Sequence, residues 1–150
     1  MANSFTSLNI HFVFSTKNRE NLIEDGMKAR LYAYLGGIAR EIKLVPLAIG
    51  GTSNHVHLLI SMSPVLSPSK AIQLIKAGSS RWIHEEFLIK TGFAWQVGYS
   101  GFSVSPRHIP NVKNYIANQE EHHRKKSFEE EYISFLKESG IEFDEKYVWG

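Results

Sequence analysis

The sequence has no cysteine among its 150 residues. That absence excludes a disulfide scaffold, thiolate-bound zinc or iron–sulfur centres and a Cys nucleophile, so any metal here is held by His, carboxylate, amide or Tyr. No apolar run reaches membrane-spanning length, and residues 1–15 lack the charged start, apolar stretch and small-residue cleavage site of a signal peptide. A soluble, cytoplasmic protein without membrane association is expected. No G-x-x-x-x-G-K-[ST] segment is present, so no nucleotide cofactor is expected. Excess charge is scarce too: 17 Lys and Arg against 15 Asp and Glu leave a net +2. This permits a nucleic-acid partner but falls short of a polybasic coat. Repeats, low-complexity tracts and linkers are absent, and residues 1–150 are expected to form one domain.

What the chain does contain is a succession of strand-like and helix-like segments. Residues 8–14, Leu-Asn-Ile-His-Phe-Val-Phe, are β-branched and aromatic in alternation and predict a first strand, followed by a polar loop over 15–19. Met27, Leu31, Leu35, Ile38 and Ile42 recur at helical spacing and predict a helix over 25–42. Residues 44–49 and 54–62 read as two strands joined in an antiparallel hairpin by Gly50-Gly51-Thr52-Ser53. Ser67-Pro68 has the pattern of an N-cap followed by proline at the first helical position, opening a second helix to about Leu88. Short aromatic pieces at 93–96 and 102–104, broken by Gly98 and Gly101, predict another hairpin. Pro110 starts a third helix with Val112, Tyr115, Ile116 and Gln119 on one side. Ser127 with Glu130 forms a capping-box pattern for a fourth, which stops at Gly140. The apolar tail ending in Tyr147-Val148-Trp149 is expected to dock on its own domain or on a partner. The order β-α-β-β-α-ββ-α-α predicts an α+β fold, an antiparallel sheet flanked by helices with the ferredoxin-like domain as nearest template.

Side chains on a strand alternate faces, so in Asn54-His55-Val56-His57-Leu58 the imidazoles of His55 and His57 share one face while Val56 and Leu58 enter the other. Two adjacent imidazoles supply half of a metal site; a satisfied structural pair is the competing reading. On the third helix Tyr115 and Gln119 stand four apart and share a face, with His122 and His123 continuing towards the same side. A helical Tyr alone is most often core or rim. Set over a His-His strand face, a hydroxyl and an amide oxygen give a nucleophile beside a three-ligand N,N,O site with positions left for phosphate oxygens.

Four segments in this order, His11-Phe12-Val13-Phe14-Ser15-Thr16-Lys17-Asn18-Arg19, His55-Val56-His57-Leu58-Leu59, Gln73-Leu74-Ile75-Lys76 and Tyr115-Ile116-Ala117-Asn118-Gln119, carry a likeness to a known family. The sequence resembles the single-tyrosine HUH transposases of the insertion sequence 200/605 type, with their REP-associated tyrosine transposase relatives. The resemblance implies that His55, His57 and Gln119 bind a divalent metal, Mg²⁺ or Mn²⁺, and that Tyr115, on a C-terminal helix, is the nucleophile. It implies cleavage and rejoining of single-stranded DNA at hairpin-marked element ends through a covalent 5′-phosphotyrosine. It also implies a homodimer with composite active sites, the His strand of one subunit meeting the Tyr helix of the other. Many members of that family carry Asp where Asn54 stands; Asn54 keeps an acceptor without the charge and is expected to orient His55 from outside the ligand set.

For DNA, Lys17, Arg19, Lys70, Lys76, Arg81 and Arg107 are candidates for phosphate contacts, joined by Arg124, Lys125 and Lys126. Trp95, with Tyr99 and Phe102, is a candidate for stacking on unpaired bases. Pro106 and Pro110 flank the connection to the Tyr helix, which is expected to project as an arm, with the chain from about 108 onward packing on a partner subunit. Two readings of other classes stand beside the transposase. One is a hairpin-DNA-binding protein whose catalysis has lapsed or been domesticated; the other is an unrelated His-metal hydrolase on a ferredoxin-like fold with water as nucleophile.

Overall fold

The computed structural model describes residues 3–87 and 92–149. Its sheet has four strands, β1 (Asn9–Ser15), β2 (Val45–Gly51), β3 (His55–Ser61) and β4 (Ser100–Val104), antiparallel in the order β2-β3-β1-β4. Helices α1 (Asp25–Glu41) and α2 (Pro68–Glu86) pack on one face. The opposite face meets α3 (Ile109–Ala117), the single turn α4 (Gln119–His122) and α5 (Phe128–Glu138). This is an α+β fold with the ferredoxin-like strand order, as the alternation of elements predicts.

The two faces follow from strand phase. Phe12 and Phe14 of β1 and Val56, Leu58 and Ile60 of β3 join Leu31, Leu35, Ile72 and Ile75 in the main apolar cluster. The opposite phase delivers Val13 to a second cluster with Phe102, Phe128 and Leu136. It also buries His11, His55 and His57. Register pairs Val13 with His57 and Ser15 with His55. A one-residue slip would exchange the imidazoles with Val56 and Leu58, so the apolar face of β3 fixes where the histidines point.

Local chemistry fixes the ends of the elements. Ser67 Oγ accepts from the Lys70 amide at 3.1 Å ahead of Pro68, as the N-cap pattern predicts. The helix is described to Glu86; the expected end near Leu88 lies outside the described residues. Ser127 Oγ likewise accepts from the Glu130 amide at 3.1 Å. Strands β2 and β3 extend into the expected turn, leaving only 52–54 to reverse the chain. A Cβ on Gly50 would lie 2.6 Å from the Ile116 carbonyl oxygen, so glycine there lets the α3 backbone rest directly on β2.

One expectation is corrected. Segment 93–96 does not pair with β4. Both run beside the first strand: β4 pairs with β1, and Trp95 bridges Thr16 just past its end, with Lys17 N donating to Ala94 O and Gln96 N to Ser15 O, each 2.9 Å. Phe93 and Trp95 sink into the helix-side cluster, and that burial prevails over closing a hairpin. Within the single chain the Tyr helix lies on its own sheet: it stops at Ala117 and breaks at Asn118 (φ −104°, ψ 23°), and Ile116 is buried against β2. The tail docks at home too: the Trp149 ring lies 5.4 Å from Tyr132, and the Arg19 guanidinium sits 4.4 Å over it. Among the described residues no helix is long and apolar enough to cross a membrane.

Candidate metal centre and active site

β3 presents His55 and His57 side by side, ring centroids 5.1 Å apart, both fully buried. Asn54 Oδ1 lies 2.8 Å and Thr52 Oγ1 3.0 Å from His55 Nδ1. The Thr52 hydroxyl donates to Asn54 Oδ1 at 3.1 Å and the Asn54 amide nitrogen to the Arg19 carbonyl at 3.3 Å, so Asn54 Oδ1 faces His55 as an acceptor. The proton of a neutral His55 therefore sits on Nδ1, and Nε2 carries a bare lone pair. That lone pair faces Gln119 Oε1 at 2.9 Å. Gln119 cannot turn its amide round, because its Nε2 donates to Glu131 Oε2 at 3.1 Å. Two acceptors thus meet at a hydrogen bond's ordinary length with no proton between them. A cation between them removes the conflict; a proton on Nε2 is disfavoured, since burial and the neighbouring His57 lower His55 from 6.5 to about 3.

His57 is held in the same manner. Its Nε2 lies 3.0 Å from Glu131 Oε1, and its Nδ1 2.7 Å from Nε2 of His11, a diagonal neighbour on β1. Burial, then His57, also lowers His11 to about 3. Glu131, from α5, stands at the centre of the group. Its burial opposes charge, yet His123, His57 and the Tyr115 hydroxyl hold its carboxyl well below the usual range. Tyr115 donates to Glu131 Oε2 in a short hydrogen bond and lies 3.2 Å from His122 Nε2. Burial and that carboxylate push the phenol well above its ordinary value. His55, His57, His123 and Glu131 place one ligand atom each within 4.8 Å of one another.

The structure thus brings together four of the residues the sequence singles out, His55, His57, Tyr115 and Gln119, with Asn54 behind His55. The candidate DNA contacts are scattered by comparison. Lys17, Lys70, Arg81 and Arg107 are exposed. Arg19 pairs with Glu129 at 3.1 Å under Trp149. Lys76 turns its ammonium onto the Gln96 and Gly98 carbonyls, at 2.5 and 2.7 Å. Trp95 is only 9% exposed and donates to Ser79 Oγ at 3.0 Å, so its ring is committed to the core; Phe102 is buried as well. The motifs do not point to Glu131. One signal for it was available: with Phe128 and Phe135 it lies on the apolar stripe of α5, three and four residues from each, where a carboxylate is out of place.

Residues 4–119 match the model of the family described as transposase IS200 like. Among solved structures, a candidate transposase from Deinococcus radiodurans R1 superposes with a TM-score of 0.66 at 24% identity, over 79% of this chain and 95% of that one. A REP-associated tyrosine transposase bound to a REP hairpin gives a TM-score of 0.59 at 12% identity, over 82% of this chain and 73% of that one. No curated protein matches the sequence.

Proposed function

Because the chain belongs to the IS200-like transposase family, we propose that it cleaves and rejoins single-stranded DNA at hairpin-marked element ends through a 5′-phosphotyrosine on Tyr115. The observation that carries this reading is the Tyr115 hydroxyl held on Glu131, whose carboxylate also meets His57 Nε2 and Gln119 Nε2, while Gln119 Oε1 faces His55. A cleft of about 520 Å³, lined by Asn111, Tyr115, His122, Lys126 and Glu131 among others, leads to that hydroxyl from solvent. The fold relative that holds a REP hairpin supports hairpin DNA as the substrate class. Exposed Lys17, Lys70, Arg81 and Arg107 are the candidate phosphate contacts.

In this reading His55 Nε2, His57 Nε2 and Gln119 Oε1 hold the divalent ion, and the imidazoles favour Mn²⁺ over Mg²⁺. When bound, the ion supplies Lewis-acid polarisation of the scissile phosphate. Asn54 keeps the His55 ring in the tautomer that leaves Nε2 for the ion, and His11 holds the His57 ring in place through Nδ1. Tyr115 stays a phenol until it attacks, and its proton passes to Glu131 Oε2, which already accepts it. The Tyr115 oxygen–phosphorus bond forms as the bond to the 3′ oxygen breaks, and that oxygen takes a proton from water to leave as a free 3′-hydroxyl while Glu131 returns its own to solvent. Rejoining is the reverse attack by a 3′-hydroxyl, which returns the phenol. The phosphodiester bond energy is conserved, so no nucleotide is hydrolysed. In this reading residues 1–150 act as one domain in a homodimer, and the 5.7 Å between the Tyr115 and His57 rings of one chain supports sites built within one subunit over the composite sites that the resemblance implies.

The deciding experiment incubates the protein with labelled hairpin-bearing single-stranded DNA and Mn²⁺. A covalent protein–DNA adduct is expected, and it disappears in Tyr115→Phe. Cleavage that survives Tyr115→Phe identifies a water-using hydrolase instead. Hairpin binding without cleavage by the wild type identifies a DNA-binding protein with lapsed chemistry.

A further inference from the structure

The family match stops at residue 119, but the donor atoms around His55 and His57 do not. His123 and Glu131 enter the same space from the segment beyond it. His123 Nδ1 lies 2.7 Å from the Lys126 carbonyl, which only accepts, so a neutral ring keeps its proton there. Its Nε2 lone pair then faces two more acceptors, Gln119 Oε1 at 3.0 Å and Glu131 Oε2 at 3.2 Å. This repeats the conflict at His55, and both lone pairs converge on the one Gln119 oxygen. A proton on each ring would set two imidazoliums with centroids 4.7 Å apart in a buried site. One divalent ion satisfies both.

Glu131 makes the same demand from the other side. It is 2% exposed, and among the described residues its ion-pair partners are imidazoles, those of His55, His57, His122 and His123. Its carboxylate is hydrogen-bonded by Tyr115 and Gln119, but among neutral rings its full negative charge meets no opposite charge, which a divalent cation would supply. Its position is fixed by packing rather than chance. Phe128 stacks on His55 at 4.1 Å, and Phe135 meets His11 edge-on at 5.3 Å, so α5 is keyed to the histidine face on both sides of Glu131.

We infer that Glu131 and His123 are ligands of the same divalent ion as His55, His57 and Gln119, and that Glu131 bridges this ion to the Tyr115 hydroxyl. The inference rests on the transposase reading only for the ion's place at His55 and His57. Three imidazoles, an amide and a carboxylate suit Mn²⁺, Co²⁺ or Zn²⁺ better than Mg²⁺. The ion also fastens α5 to the sheet, because its ligands come from both β3 and the segment after residue 119.

The test titrates Mn²⁺ into the DNA-free full chain by calorimetry, and follows trypsin cleavage at Arg124, Lys125 and Lys126, the connection leading to α5. Wild type, Glu131→Gln, His123→Ala and His57→Ala are compared, with thermal melts showing that each is folded. Wild type is expected to bind Mn²⁺ and to gain protection from trypsin. Glu131→Gln and His123→Ala are expected to lose at least about tenfold in affinity, together with the protection. Should Glu131→Gln fail to fold, His123→Ala decides. Wild-type binding in both of these variants, with binding lost only in His57→Ala, overturns the inference and leaves the transposase reading standing. No Mn²⁺ binding by the wild type overturns the inference, while the Tyr115 adduct assay scores that reading separately.

Discussion

Asn54 decides which nitrogen of His55 is bare, although it contributes no ligand atom. Replacing it by Leu removes the acceptor, frees the ring to place its proton on Nε2, and is expected to cost about 10–100-fold in Mn²⁺ affinity by calorimetry. Asn54→Asp keeps the acceptor and adds charge, so affinity is expected to hold or rise. The buried rings also give the metal-free protein an acid limit. His11 and His55 are lowered from 6.5 to about 3 in the folded chain. Below pH 6.5 the unfolded chain takes up protons on these rings and the folded chain does not, so stability is complete above 6.5 and falls progressively towards about 3. Urea denaturation in a chelator, on either side of pH 6.5, measures this; a flat profile would mean that the rings are not buried neutral. At this scale His55, His57, Tyr115 and Gln119 were legible in the sequence, because strand alternation and helical spacing single them out, while Asn54 came from the family resemblance. Glu131 was missed. In Glu129-Glu130-Glu131 it looks like ordinary acidic residues in a first helical turn, and the one signal that sets it apart, its place on the Phe128–Phe135 stripe, gains meaning only once α5 is seen on the histidine face.

Two helices carry the site against β3, and each has one residue that sets its pose. For α3 it is Gly50. Gly50→Ala drives a methyl into the Ile116 carbonyl at 2.6 Å, where backbone has to move. A cost of about 1–3 kcal/mol in urea denaturation is expected. The larger effect falls on chemistry, because Tyr115 is one residue from the contact and a displacement of roughly 1 Å costs about 100-fold in the rate of adduct formation. For α5 it is Ser127, whose loss in Ser127→Ala is expected to cost about 1 kcal/mol and to speed trypsin cleavage at Lys126, without abolishing the adduct. Caps and glycines of this kind are local and readable. The pairing of β4 was not, because Phe93, Trp95 and Phe102 are equally strand-like on paper. What separates them is tertiary: the two rings before Gly98 find a pocket under α2, while β4 finds the free edge of β1.

At the scale of the whole molecule, the C-terminal third covers the histidine face of its own sheet. A ferredoxin-like core alone would leave His11, His55 and His57 open to solvent on one side; α3, α4 and α5 bury them completely or nearly so. The tail completes the cover, with Trp149 between Tyr132 and Arg19. This cover supports the proposal that each site is built within one subunit. Mixing two inactive variants tests that directly. His57→Ala lacks a ligand and Tyr115→Phe lacks the nucleophile. In a mixed dimer with exchanged helices, one of the two sites would carry both intact halves and recover adduct formation. With sites built within one chain, each site inherits one lesion and the mixture stays inactive. Co-expression with two different tags, purification through both in succession, and the adduct assay separate these outcomes. The expected result is an inactive mixed dimer, beside an active control in which His57→Ala is paired with wild type. Recovered activity in the doubly tagged species would instead show that α3 crosses between subunits when DNA is present.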